Sequence, residues 1–163
     1  MKMAGKKNVA GVACLVLVVL LISLHSAFAD EKLFIIANQK ALDLAKDFFT
    51  ALNNESIPLS IVLDQYDRVK KEKYVIVLGG AKGPGSVDGF IRQVLTPEEQ
   101  ESGNKSGGGI FIKQNVFNPG QVIIVFTGPD EGAAAEARKN SRKTWWALFT
   151  QWFDLDTSQP MAY

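Results

Sequence analysis

Cysteine and histidine occur once each in the 163 residues, at Cys14 and His25. Both fall inside a hydrophobic amino-terminal stretch, so residues 30–163 contain neither. A serine triad needs an imidazole to take the hydroxyl proton near neutral pH, and a cysteine nucleophile needs its thiolate; both mechanisms lack their parts here. Zinc held by thiolate and imidazole, haem on a histidine or cysteine ligand, and cysteine-held iron–sulfur clusters are excluded on the same ground. Disulfides within residues 30–163 are impossible, so stability rests on core packing and docking rather than covalent staples.

Excess charge is also lacking: 18 basic residues stand against 17 acidic ones. With Lys2, Lys6 and Lys7 set aside as part of the amino-terminal stretch, 15 basic residues face 17 acidic ones in the rest. A mildly acidic domain has no general attraction for nucleic acid or anionic lipid, and nucleic acid is not expected as a partner.

What is present begins with that stretch. Three lysines form a positive head, and an uncharged run from Asn8 through Ala29 follows, with the apolar centre VACLVLVVLLISL. Residues 1–29 read as a secretory signal peptide or as a single membrane-anchor helix. Ala27 and Ala29 before Asp30 suit cleavage after Ala29, while the apolar length also suits a helix that stays in the bilayer. Either way residues 30–156 are expected outside the cytoplasm, as one domain secreted or anchored to the cell membrane, with 157–163 a flexible tail. Cys14 sits mid-run, away from any position where processing would expose a lipid-modified cysteine.

The domain opens with KLFIIA at 32–37, a strand, followed from Gln39 to about Leu52 by apolar residues at steps of three and four, an amphipathic helix. Asn53-Asn54 closes it. PLSIVL at 58–63 and YVIVL at 74–78 are further strands, the second apolar at consecutive positions as in a sheet covered on both faces. Val87, Phe90, Ile91, Val94 and Leu95 outline a short helix. Residues 97–109, PEEQESGNKSGGG, lack apolar periodicity and are expected to form an exposed mobile loop. Strands then begin at Ile110 and at Val122, joined through Asn118-Pro119-Gly120; so short a connection favours an antiparallel pair. A single helix is expected from about Pro129 to Phe153, alanine-rich first and bulky afterwards. The predicted class is α/β: a single-domain layered sandwich with a mixed, mostly parallel sheet.

Three sets of residues are candidate sites. Gly79, Gly80, Gly83 and Gly85, between a strand and a helix, offer backbone N–H groups to a ligand, or simply make a tight turn. Asp64 and Asp130, with Asp67 and Glu131, follow strand ends where an open α/β sheet places its crevice. Carboxylates there suit a cation or general acid–base work, or serve as solvated turn residues and caps; their spacing matches no metal loop. No metal, cofactor or catalytic residue is assigned. Trp145, Trp146 and Trp152 belong to the core or to a contact surface. Asn54 and Asn104 head Asn-x-Ser sequons in predicted loops and are candidate glycosylation sites.

GGAKGPG at 79–85, FNPGQVIIVFTGPDEGAAAEA at 117–137 and KLFIIANQKALDLAKDF at 32–48 together resemble the S-layer-like domain of archaeal cell-surface proteins. In that family a Gly-Gly-Pro turn ends one strand, an Asn-Pro turn leads into another, and a Gly-x-Asp-x-Glu-Gly segment opens an alanine-rich helix. The matching positions here are Gly79, Gly80, Asn118, Pro119, Gly120, Gly128, Asp130, Glu131 and Gly132. Ala81 stands where the family has proline, and Ala133 where it has threonine. The resemblance implies a non-enzymatic envelope or surface component that contacts an envelope protein or a second copy of itself. It also implies a membrane partner where the leader is retained. The competing expectations are an extracytoplasmic small-ligand-binding domain using the glycine loop and carboxylates and, behind it, a carboxylate-based hydrolase.

Overall fold

A computed structural model describes residues 31–80 and 87–156. The leader with its Cys14 and His25, the residues Gly83 and Gly85, and the tail 157–163 lie outside the described residues. Five strands form one sheet in the order β2-β1-β3-β5-β4: β1 (Leu33–Ala37), β2 (Leu59–Val62), β3 (Tyr74–Leu78), β4 (Gly109–Gln114) and β5 (Val122–Thr127). The first three and β5 run parallel, and β4 lies antiparallel to β5 on the outside. The sheet is therefore mixed and mostly parallel. Helices cover both faces: α1 (Gln39–Asp43), α2 (Lys46–Asn54), α3 (Val87–Val94), α4 (Pro97–Lys105), α5 (Glu131–Asn140) and α6 (Arg142–Phe153), with a 3₁₀ turn at Tyr66–Lys71.

Strand alternation divides the core in two. Leu33, Ile35 and Ala37 of β1, Ile76 of β3, and Ile124 and Phe126 of β5 point to one side, where they meet Ala41, Phe48, Leu52, Trp145 and Phe149. Ile36, Val75, Val77, Ile123 and Val125 point to the other, where Tyr66, Val69, Phe90 and Ile91 close over them. All five residues of YVIVL are buried, because β3 is central and covered on both faces.

Three sequence expectations need correction. The segment 97–109 is not a mobile loop: Pro97–Lys105 is a helix. Thr96 Oγ1 accepts the Glu99 N–H at 3.3 Å, and Glu99 Oε2 accepts the Thr96 N–H at 2.9 Å, a reciprocal cap with proline in the first turn. The helix docks through Gly103, which is buried where a Cβ would meet the Phe111 ring and the Thr127 methyl. Gln39–Leu52 is two helices rather than one, since Leu44 ends the first and Lys46 starts the second.

The helix expected over 129–153 is likewise two, broken at Ser141. Side chains bond the last carbonyls of α5 at the break. Ser141 Oγ donates to Ala137 O at 2.7 Å, and the Trp145 indole N–H donates to Arg138 O at 2.8 Å. The second of the two helices places Trp145 and Phe149 in the core. The alanine-rich half, α5, sits close to the sheet end: a Cβ on Gly128 or Gly108 would collide with Ala133.

Candidate functional site

In a parallel sheet, ligands favour the crevice outside the carboxyl ends of strands whose connections leave in opposite directions. Here β1 leads outward to β2, while β3 leads through α3 and α4 to β4, so the reversal falls between β1 and β3. Asn38 follows β1, Gly79-Gly80 follows β3, and Gly128-Pro129-Asp130 follows β5. The crevice is thus built from the first turn of α1, the paired glycines and the first turn of α5.

Among the described residues there, the Asp130 and Glu131 side chains that the sequence singled out each have a partner. Asn38 caps α1 by accepting the Ala41 N–H at 2.8 Å, and its amide nitrogen donates to Glu131 Oε1 at 2.9 Å. Lys40 Nζ lies 3.3 Å from Glu131 Oε2, with the glutamate side chain 2% exposed and the lysine 65%. Burial pushes the Glu131 carboxyl up, but the bonds from Asn38, its own backbone N–H and Lys40 outweigh it and hold the group below the ordinary carboxylate range. Asp130 caps α5 by accepting the Ala133 N–H at 2.8 Å. Gly80 is buried against the Asp130 backbone, so close that a Cβ would overlap its Cα and carbonyl carbon. Among the described residues, the space between Ala41, Leu78, Gly79, Glu131 and Ala134 is about 10 Å³. That is about one water probe, against roughly 300–1,000 Å³ for a small-molecule pocket.

The carboxylates do not assemble as a group. Asp64 is exposed after edge strand β2, with β1 and β3 between it and β5, and Asp67 pairs with Lys70 at 2.6 Å in the 3₁₀ turn. Among the described residues no group of three or more aspartates, glutamates, histidines or cysteines is placed to hold a metal ion. No helix among them is long and apolar enough to cross a membrane.

The tryptophans separate. Trp145 is core, edge-on to Phe48 with centroids 5.1 Å apart. Trp146 and Trp152 are half-buried, and Trp152 stacks on Tyr74 at 4.4 Å and 14°. Beside that stack, Tyr74, Ile112, Val122, Leu148 and Trp152 line an open groove of about 320 Å³ against the outer strand β4. Asn54 is the exposed last residue of α2, with Glu55 and Ser56 in the turn after it, whereas Asn104 lies in the last turn of α4 rather than in a loop. The Asn104 side-chain oxygen is buried.

One feature was not signalled by any motif. Arg138, on the α5 turn two above Glu131, is buried, and its guanidinium spans to α2 and the α1–α2 junction: Nη2 donates to Asp47 Oδ1 at 2.8 Å and to Leu44 O at 3.3 Å, and Nη1 donates to Asp47 Oδ2 at 3.3 Å. The same group lies over the Phe48 ring, 5.2 Å from its centroid. A recess of about 140 Å³ opens beside it, lined by Asp47, Phe48, Arg138, Lys139, Arg142 and Trp145. The basic run at 138–143 is the only sequence signal for it, and the part played by Asp47 depends on contact across 91 positions.

Comparison with family models, with curated proteins and with solved structures gives no match to this chain.

Proposed function

We propose that the chain is a non-enzymatic component of the cell envelope or cell surface, an extracytoplasmic α/β domain of S-layer-like kind. Residues 1–29 deliver or anchor it, and its surface meets an envelope protein or a second copy. The observation that carries this reading is the state of the strand-end crevice. Glu131 is bonded to Asn38 and Lys40, Asp130 is a helix cap, and among the described residues about 10 Å³ lies between α1, α5 and the end of β3. A carboxylate pair whose bonds go to structural partners holds helices in place rather than moving protons on a substrate. The thiol-free, imidazole-free composition of residues 30–163 points the same way.

Contact surface is available elsewhere. Ile61 and Leu63, at and just beyond edge strand β2, are 44% and 51% exposed, and Ile112 on the opposite edge is 39% exposed. The test uses the native full-length protein in whole cells treated before lysis with a membrane-impermeant amine crosslinker. The reading predicts that the chain is recovered in the envelope fraction within a discrete crosslinked product. Recovery in the cytosolic fraction, unreacted, contradicts it.

A further inference from the structure

The two Asn-x-Ser sequons, 54–56 and 104–106, sit at the ends of α2 and α4, and the fold treats them in opposite ways. After α2 the chain turns through a paired closure: the Ser56 N–H donates to Asn53 O at 3.0 Å, and the Ile57 N–H donates to Leu52 O at 3.1 Å. Ile57 and Leu52 are buried in one core cluster, so the turn is pinned from beneath. Asn54, Glu55 and Ser56 are all exposed, and among the described residues the Asn54 amide and the Ser56 hydroxyl enter no hydrogen bond. Ser56 has φ 56°, the left-handed conformation that such a closure ordinarily gives to glycine. The backbone there favours a residue without a side chain, and the hydroxyl that Ser56 carries serves no contact among the described residues. The second sequon is engaged. The Asn104 side-chain oxygen is buried, and Ser106 Oγ lies 2.8 Å from Ser102 O, 3.0 Å from Gly108 O and 3.4 Å from Gly103 O, so its proton is committed to the helix end.

We propose that Asn54 carries an N-linked glycan and that Asn104 stays bare, the folded domain being the acceptor. The donor is a sugar on a polyisoprenyl phosphate or diphosphate, used by a membrane-bound oligosaccharyltransferase. Asn54 Nδ2 attacks the anomeric carbon of that sugar. A C–N bond forms, the bond from the anomeric carbon to the phosphate oxygen breaks, the lipid phosphate leaves with the electron pair, and the nitrogen gives one proton to a base of the transferase. The Ser56 hydroxyl, free to rotate, is the second group of the sequon that the transferase reads. An exposed turn beyond a helix bends into a transferase cleft at little cost, whereas the 104–106 turn has to unwind first. Glycosylation at Asn54 rests on the extracytoplasmic reading, because such donors present their sugar on the outer side of the membrane.

The test is mass spectrometry of the full chain isolated from its own cells. Trypsin separates the two sites, with Asn54 on the peptide 47–68 and Asn104 on the peptide 93–105. A sugar-bearing 47–68 peptide and a bare Asn104 are expected, with fragmentation placing the sugar on Asn54. Variants expressed in the same cells separate the chemistry from the fold. Asn54→Gln and Ser56→Gly should each abolish the modification, and Asn104→Gln should leave it unchanged. Ser56→Gly should unfold no earlier than Asn54→Gln, both being sugar-free, because glycine suits the left-handed turn. A bare Asn54 in a chain recovered from the envelope fraction overturns this proposal and leaves the extracytoplasmic reading standing; a bare Asn54 in a chain recovered from the cytosol overturns both. Sugar on Asn104, or modification of Asn54 that survives Ser56→Gly, also overturns the proposal.

Discussion

Glu131 and Asn38 are 93 positions apart in sequence and joined at 2.9 Å across the carboxyl end of the sheet. Asn38 thereby does two things with one amide: its oxygen caps α1 and its nitrogen holds the first residue of α5. Two turns further along α5, Arg138 makes the second attachment, to Asp47 of α2 and to Leu44 O at the α1–α2 junction. The alanine-rich helix is thus fixed to the α1–α2 pair by one buried acid and one buried base on the same face.

The first attachment predicts an acid sensitivity of defined sign. The folded Glu131 carboxyl ionises below its ordinary value of 4.5. Its stabilising contribution is complete above the unfolded value and disappears as pH falls through the lowered folded value, because the unfolded chain binds the proton first. Urea unfolding midpoints should fall with acidification more steeply in the native protein than in Glu131→Gln. Parallel curves would contradict the assignment.

The second attachment predicts an asymmetry between partners. Removing Asp47 leaves a guanidinium buried with one backbone acceptor, whereas removing Arg138 leaves a carboxylate that is half exposed and free to hydrate. Asp47→Ala should cost about 3–5 kcal/mol, as when one partner of a buried ion pair is lost. Arg138→Met, which keeps the aliphatic volume, should cost less. Equal losses by denaturant titration would argue against burial as the cause.

Two glycines should respond in opposite directions to alanine. At Gly80 a Cβ overlaps the Asp130 backbone, which a side-chain rotation cannot relieve, so Gly80→Ala should destabilise by at least about 1–3 kcal/mol. Gly89, in α3, has nothing within 4 Å of the added atom. Gly89→Ala should stabilise by up to about 1 kcal/mol through helix propensity. Thermal unfolding of both variants against the native chain checks the pair.

The α4 cap predicts a smaller and more local effect. Thr96→Ala removes the acceptor for the Glu99 N–H and should cost about 1 kcal/mol. It should also raise amide exchange in 97–105 ahead of the rest of the fold, and uniform exchange across the domain would contradict a local cap.

The strands were legible because β1, β3 and β5 are short apolar runs bounded by turn residues, and the antiparallel β4–β5 pair followed from the Asn-Pro-Gly connection. The α4 helix was not, because it buries little apolar surface: its hold comes from the Thr96–Glu99 cap, from Gly103 against Phe111, and from the Lys113–Glu99 ion pair at 2.8 Å. Periodicity is silent on such a helix. The break at Ser141 was hidden for a related reason, since nothing between 129 and 153 except a serine marks it, and the groups that stabilise it are Trp145 and Arg138.

At the site, Asp130 and Glu131 were legible as residues at a strand end but not as partners of α1. The pairing with Asn38 is long-range, and a sequence does not display which carboxylates a fold has already engaged. Gln121 illustrates the same limit at the other end of the sheet. It is fully buried and donates to Lys70 O at 3.0 Å and Glu72 O at 2.8 Å, tying the 3₁₀ turn to the β4–β5 ribbon, yet it belongs to no motif.

The proposal of an extracytoplasmic domain is tested most directly by the amino terminus of the native protein. Mass spectrometry of chain isolated from its own cells should find either a mature start at Asp30 or an intact leader in the membrane pellet. An uncleaved chain recovered from the soluble cytosolic fraction would contradict the account.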